Sequence, residues 1–520
     1  VQPEEAKMPL PTDPKTQWPP RSWSRIYALY KEHSAWFGGD PDTLAGLYGQ
    51  RLYGLDVAQF FAAQAGHRPR FWSTDVQNER RTMLHVPVAG DISATSASLL
   101  FSEHPKIRIP EADRESPSEA AAATQDWLED LFENTLFHAR LLEAAEACSA
   151  LGGVFIKVDW DSTLSEYPIF SVVQADQAVP EFRFGILTAV TFWEEVERDD
   201  RWVWRHLERH EPGKILHGLY RQRVGAMEDQ LGEPQSLQAH SATAGLPLSQ
   251  DTGLAGLACV YVPNMRPNRR FRSSYLGQSD YSGSEGIFDS VDEAYSSLMR
   301  DIRLGKGRII APESFFEHDP DNPGVMQFDV DKEVYVALHS VANAGAPFSD
   351  SISVHQFAIR AAEHLSTIEN LLIRAYTNCG YAPQSFGLLI AGSAESGTAL
   401  RIRERKSFVT SQKKAEYWRP ALVELVWIAE QVARIHLGAR IVPLKPQVEI
   451  QDSVVSNLDD VAKSVQLLRA ADAMSIQAAV RTAHPDWNDQ QVAEEVARIK
   501  EDNAPEPAVD VPGPFDFPQE

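Results

Sequence analysis

Two stretches of helical apolar spacing bracket a run of short extended segments, and no other feature limits the fold of this chain as much. In 284–304 the residues Ile287, Val291, Tyr295, Leu298 and Ile302 recur every three or four positions and so form one stripe on a helix. Ser284 is placed to cap its start with Glu285 in the first turn, Arg300, Arg303 and Lys306 suit the dipole at its end, and Gly305 and Gly307 stop it. The second stretch, 351–377, repeats the spacing through Val354, Phe357, Ala361, Leu365, Ile368 and Leu372. Extended runs at 308–312, 325–328 and 333–341 lie between, with a Pro- and Asp-rich turn at 318–324. At ~1.5 Å per residue a 21-residue helix such as 284–304 spans about 31 Å, so the pair can carry a β module at its tip. A two-helix stalk cannot bury both stripes alone. Copies packed side by side in a ring would cover them, and so would another part of the same chain; periodicity does not choose.

The chain has 520 residues, enough for several hydrophobic cores, and its 43% hydrophobic and 23% charged content excludes wholesale disorder, collagen and coiled-coil rods. A formal net charge of −24 argues against tight coating of nucleic acid phosphates. Cys148, Cys259 and Cys379 are far apart and suggest neither a disulfide framework nor a zinc site, which fits a reducing compartment. No apolar run is long enough to span a bilayer, and residues 1–20 read as a Pro-rich tail where a signal peptide would need a basic start and an apolar centre. We therefore expect a protein outside the membrane, with extended tails at 1–21 and 503–520 that carry no core.

Along the chain, an aromatic-rich helix runs from Ser22 to Phe37, and a small-residue helix after Asp91 leads into an extended 106–109. One long amphipathic helix is predicted over 116–150 through Leu128, Leu131, Phe132 and Leu136, ended by Gly152 and Gly153. From Val154 to about 225 the period shortens and strands are expected, followed by a Gly-, Ser- and Gln-rich loop over 228–256 and the basic run Arg266, Arg269, Arg270, Arg272. A long helix is predicted over 398–437, interrupted or bent near Pro420. Its first half is basic through Arg401, Arg403, Arg405, Lys406, Lys413 and Lys414, and its second half is apolar. Three shorter helices close the chain around Leu458–Leu468, Met474–Thr482 and after Asn488.

Catalytic chemistry finds no anchor. Gly392 and Gly397 have phosphate-loop spacing but lack its lysine, and Lys306 sits at a helix C-terminus, which repels anions. His206 and His210 on a strand would be ~13 Å apart, too far to share a metal, and are expected at the surface. Asp319, Asp321, Asp329, Asp331 and Glu333 lack the order of a calcium loop and read as a solvated acidic tip. We expect no catalytic residues, no metal and no cofactor.

Several short stretches carry a resemblance. Tyr261-Val262-Pro263-Asn264-Met265 and Gly277-Gln278-Ser279-Asp280-Tyr281 precede the helix at 284–304; Leu304-Gly305-Lys306-Gly307-Arg308-Ile309-Ile310 follows it; then come Ser396-Gly397-Thr398-Ala399-Leu400-Arg401 and His484-Pro485-Asp486-Trp487. In these stretches and in element order the chain resembles the portal (head-to-tail connector) proteins of tailed double-stranded DNA phages, of the long-tailed siphophage type, over most of 22–502. The resemblance implies an α+β portal fold: a mixed α/β wing (22–283), a first stem helix (284–306), a small β clip (307–350), a second stem helix (351–378), a tunnel loop with a long channel-side helix (379–440) and a helical crown (441–502). It implies a homo-oligomeric ring, usually of twelve, at one capsid vertex of the virion, assembled in the host cytoplasm. Double-stranded DNA would pass through it without sequence specificity during packaging and ejection. The partners implied are the terminase large subunit, docking on the clip, the head-to-tail adaptor, and the major capsid and scaffolding proteins, with no membrane. Arg401 to Lys414 would then line the DNA channel or pair with a neighbouring subunit. The competing readings are a metal-dependent nuclease using the acidic clip carboxylates and a monomeric scaffold or adaptor.

Overall fold

The computed structural model describes residues 10–49, 71–73, 83–110, 112, 118–225, 230–305, 308–310, 317–318, 326–327, 353–355, 359–388, 397–450, 458–471, 473–484 and 489–502. It is an α+β chain with two compact units, one taking in Val1–Ser393 and Arg401–Gln451, the other Ala394–Leu400 and Asp452–Glu520. Among the described residues no helix is long and apolar enough to cross a membrane.

The first unit opens with helices α1 (Ser24–Gly38), α2 (Pro41–Gly49) and α3 (Val88–Phe101), strand β1 (Lys106–Arg108), and helices α4 (Glu119–Asn134) and α5 (Phe137–Leu151). The single helix predicted over 116–150 is thus two. Thr135 is extended (φ −123°, ψ 165°). Its Oγ1 donates to Leu131 O at 2.6 Å, and Asn134 Nδ2 donates to Asp130 O at 2.8 Å. These side chains satisfy carbonyls that another helical turn would otherwise take.

The predicted strand region follows as β2 (Gly153–Asp159), β3 (Ile169–Gln174), β4 (Ala178–Arg183), β5 (Ile186–Arg198), β6 (Trp202–Glu211) and β7 (Lys214–Arg223); β8 (Glu233–Gln235), β9 (Ser249–Asp251) and β10 (Cys259–Pro263) complete it. All pairings are antiparallel, in the orders β10–β2–β3 and β4–β5–β6–β7–β8, with β9 also on β7. The expected loop at 228–256 therefore also supplies two short edge strands.

The N-terminal segment departs from the free tail expected for 1–21. Trp18 is buried with Val179, Leu207, Tyr220 and Leu231. Tyr220 donates its hydroxyl to Pro11 O at 2.7 Å, and Leu231 N–H donates to Thr16 O at 2.9 Å. A turn closed by Thr16 N–H on Asp13 O at 3.0 Å shapes this segment, and the carbonyls of Pro11, Pro14 and Thr16 accept from the sheet and the loop beside it.

Helix α6 (Glu285–Leu304) is followed by strands β11 (Arg308–Ile310), β12 (Glu317–His318), β13 (Met326–Gln327) and β14 (Ser353–His355), then helices α7 (Ala361–Cys379) and α8 (Gly397–His436), and β15 (Gln447–Glu449). The second apolar helix begins ten residues later than 351–377 predicts, because 353–355 pairs instead with β11. Val354 thus lies on β14 and not on a helix, and Phe357 lies outside the described residues. β12 and β13 pair across the predicted turn. Helix α8 is not interrupted at Pro420, so of the interruption or bend expected there the interruption is absent. β15 pairs with β1, which puts 441–451 in the first unit and not in the terminal helical part.

One large core joins Leu128, Leu131, Phe137 and Leu141 to Val154, Ile156 and Val158 and to Trp418, Leu422 and Leu425. A second joins Trp36, Trp72, Ile92, Tyr281, Phe288, Val291, Tyr376 and Tyr381. The other unit contains helices α9 (Leu458–Ala470), α10 (Ile476–Ala483) and α11 (Asp489–Asp502), each where the sequence placed one. Ser475 caps α10 by accepting from Ala478 N–H at 3.1 Å. Val480 and Val492 are buried in this unit.

Candidate functional site

The Gly277–Tyr281 stretch, singled out in the sequence, is where the helices of the first unit are fastened together. A Cβ on Gly277 would lie 2.1 Å from Gly152 O and 2.7 Å from Asn264 N, so no other residue fits without moving the backbone. This close approach presents Asp280 to a buried polar centre. Its Oδ2 accepts from Ser149 Oγ at 2.6 Å and Tyr381 Oη at 2.7 Å, and its Oδ1 accepts from Asn264 Nδ2 at 2.8 Å. Lys414 Nζ donates to Asp280 Oδ2, to Tyr381 Oη at 2.9 Å and to Ser96 Oγ at 2.5 Å. One buried pair thereby ties α3, α5, the entry to α6, the exit of α7 and α8 to each other.

Lys414 was read as part of the basic stripe and is instead inside the subunit. The reason is its phase: at 414, 418, 422 and 425 it shares the helix face of Trp418, Leu422 and Leu425, all buried. Arg403, Arg405, Lys406 and Lys413 are exposed, and Arg405, Lys406 and Lys413 share one face of α8 with Val409. Lys406 Nζ reaches Thr377 O. The side chain of Arg401 lies outside the described residues.

Helices α6 and α7 are antiparallel. Ser284 Oγ and Cys379 Sγ are 3.6 Å apart at one end, and at the other Asp301 Oδ2 accepts from His364 Nε2 at 3.0 Å and Arg360 Nη2 at 3.1 Å. The predicted stripe is divided in its surroundings. Val291 and Leu298 are buried and Ile287 is half-buried within the subunit, whereas Tyr295 and Ile302 are exposed, as are Ile359 and Leu365 beside them. Sequence reasoning attended to this stripe and missed a polar one. Asp289, Asp292 and Ser296, spaced by three and four, hold the N-terminal segments. Asp289 Oδ2 accepts from Phe71 N–H at 2.8 Å; Asp292 accepts from Val86 N–H at 2.8 Å and Trp72 Nε1 at 3.0 Å and lies 2.8 Å from His85 Nδ1; Ser296 Oγ accepts from Leu84 N–H at 2.9 Å.

Glu285, read as a helix-dipole residue, is also buried. Burial alone would raise its pKa, but the hydrogen bond with His33 (3.3 Å) and the nearby charge of Arg270 (3.2 Å) outweigh burial and lower it to about 2.

His206 and His210, expected at the surface, are buried on β6. Among the described residues their hydrogen-bond partners differ. His206 Nε2 is 3.2 Å from His217 Nδ1, and His210 Nε2 is 2.5 Å from Glu208 Oε1, whose other oxygen accepts from Lys157 at 2.9 Å. Burial lowers the His217 pKa to about 4. For Glu208, burial favours the neutral acid, but the Lys157 charge and the His210 hydrogen bond hold it well below the usual carboxylate range. Among the described residues no group of three or more His, Cys, Asp or Glu is arranged to hold a metal ion. The acidic residues Asp319, Asp321, Asp329, Asp331 and Glu333 lie outside the described residues, as do Lys306 and, within the stretch assigned to the tunnel loop, 389–396 with Gly392.

A second titration follows from Glu430 on α8, fully buried with Oε2 accepting from Leu444 N–H at 2.7 Å and Oε1 without a hydrogen bond among the described residues. Burial raises its pKa to about 8. Because the folded value lies above the unfolded one, its contribution is complete below about pH 4.5 and is lost as pH rises toward 8. Glu430→Gln is expected to flatten this decline and to be more stable than the parent by ~2–4 kcal/mol above pH 8. Urea unfolding at pH 5 and pH 8.5 checks it; an equal parent–variant difference at both values would count against it.

A family model described as phage portal protein, SPP1 Gp6-like, matches residues 262–506. No curated protein is significantly similar to the sequence. Among solved structures, a chain of the virion of a native gene transfer agent (GTA) particle overlaps at 11% identity and a TM-score of 0.38, covering 82% of this chain and 98% of its own. The neck of an empty GTA particle computed with C6 symmetry gives 11%, a TM-score of 0.40, and 80% and 95% coverage. The neck of a native GTA particle computed with C12 symmetry gives 11%, 0.35, and 79% and 89%. At TM-scores this low the overlaps support no functional conclusion.

Proposed function

We infer the role of this chain from one premise: over residues 262–506 it belongs to the phage portal proteins of the SPP1 Gp6-like family, and its role is structural. The reading proposed is a ring of identical subunits, twelve in number, at one capsid vertex, through which double-stranded DNA enters at packaging and leaves at ejection. The family match carries it. The antiparallel α6–α7 pair, with β11 and β14 joined at its end, supports stem and clip roles, and the apolar residues left open on its far half fit a neighbouring copy. A wall built from chains of charge −24 is mainly repulsive to phosphate, which suits a conduit in which DNA must slide. In this reading the clip receives the terminase large subunit, and the head-to-tail adaptor, capsid and scaffolding proteins are the other contacts.

Negative-stain microscopy of the purified chain tests the ring. Annular particles are expected; solitary molecules in every buffer would end the reading. Supercoiled plasmid incubated with the protein and Mg²⁺ is expected to stay intact, and nicking would bring back the nuclease. The exposed basic face of α8 yields a separate expectation. If it faces DNA, Arg405→Glu with Lys413→Glu leaves rings intact and reduces packaged DNA by about tenfold or more, since each lost phosphate contact weakens binding. Loss of rings would assign the face to a neighbouring subunit.

A further inference from the structure

The hairpin between β4 and β5 turns through Phe184 and Gly185, with φ +52° and +84°. A left-handed backbone is unfavourable for a bulky side chain, and burial does not compensate here. Phe184 is 86% exposed and Ile186 beside it 69% exposed. Cations surround this apolar tip. The Arg183 guanidinium lies 5.6 Å over the Phe184 ring, and that of Arg266 lies 5.6 Å over Tyr275, which packs 5.8 Å from Phe182 at the base of the turn. No ion pair joins Arg183 or Arg266 to a carboxylate among the described residues.

The same strand carries a complementary feature farther along. Near Glu194 the two sheets leave a cleft of about 280 Å³, where Val173 and Phe192 supply the apolar lining and Lys157, Glu194, His206 and Glu208 the polar lining. Lys157 is engaged with Glu208, whereas the Glu194 carboxylate is 61% exposed and, among the described residues, is paired with His206 at 3.4 Å. Ile186 and Glu194 are eight positions apart on β5, or ~25 Å. The cationic, apolar tip and the anionic, partly apolar cleft are thus too distant to meet within one molecule, and two distinct complementary patches are what a head-to-tail contact between copies requires.

We propose that the 183–186 tip of one copy seats in the cleft of the next, with Phe184 against Val173 and Arg183 on Glu194. This rests on the ring reading and names a contact within it. The test uses the full chain, with assembly followed by light scattering and rings counted by negative stain. Arg183→Glu and Glu194→Arg, each alone, are expected to raise the concentration for half-assembly by about tenfold, and Phe184→Ser by a similar factor. The double variant carrying both charge changes is expected to return to within about threefold of the parent, a rescue that a folding defect would not give. Parent-like assembly of all three single variants would overturn the proposed contact and leave the ring standing. Loss of duplex DNA retention in Arg183→Glu with unchanged assembly would overturn it in favour of nucleic acid. Absence of rings from the unsubstituted protein would defeat the ring reading itself.

Discussion

Asp280→Ala is expected to destabilise the first unit by about 3–5 kcal/mol, among the largest effects available from one side chain, because it strands a buried cation. Lys414 would keep only the neutral oxygens of Ser96 and Tyr381 as acceptors. The opposite truncation, Lys414→Met, is expected to cost less. Asp280 would retain three donors, Ser149, Tyr381 and Asn264, and a carboxylate held by neutral donors is far better off than an ammonium without an anion. Removing both charges with Asp280→Leu and Lys414→Met is expected to fall short of the sum of the singles, since neither change then leaves an orphaned charge. Urea midpoints at constant slope measure all three. An Asp280→Ala variant within about 1 kcal/mol of the parent would show that solvent reaches the pair. The structural consequence is wider than the pair, because α6 and α8 take their relative placement from it.

What could be read from the sequence follows from what each signal measures. Apolar periodicity reports burial, and it located α6, α8 and the three helices of the second unit together with the strands of 153–223. It does not see side chains that end a helix from within, so the break at Thr135 was missed although Asn134 and Thr135 are there to cap it. Composition misjudged the N-terminal segment in a different way. Prolines suggested a free tail, yet Trp18 and the backbone of 11–16 dock on the sheet. Charge misled at Lys414 and was silent at Asp289 and Asp292. Lys414 counts as basic in any composition, and only its phase with Trp418 and Leu422 betrays a buried position. Asp289 and Asp292 look like a solvated helix face, but they face segments more than 200 residues earlier in the chain. No local pattern announces such a partner. The buried His206–His217 pair belongs to the same class, since strand spacing kept His206 from His210 and said nothing of the neighbouring strand.

The division of the stem stripe leads to the second large expectation. Leu298 is buried inside the subunit, so Leu298→Asp places a charge in an existing core and is expected to unfold the stem pair before assembly is in question. It is therefore a poor probe of the ring. Ile302 and Leu365 are 39% and 56% exposed in the single chain, and an aspartate at either place stays hydrated until a neighbour covers it. For Ile302→Asp and Leu365→Asp the isolated subunit is expected to melt within a few degrees of the parent, while assembly loses about 2–4 kcal/mol at every interface in which the charge is buried. In a closed ring that cost recurs at each contact, so the pair of substitutions is expected to abolish annular particles. Thermal melts under dissociating conditions, set against negative-stain counts, separate the two stages. If the double variant forms rings as readily as the parent, the far half of the α6–α7 pair faces solvent in the assembly, and subunit contacts must be sought elsewhere on the chain.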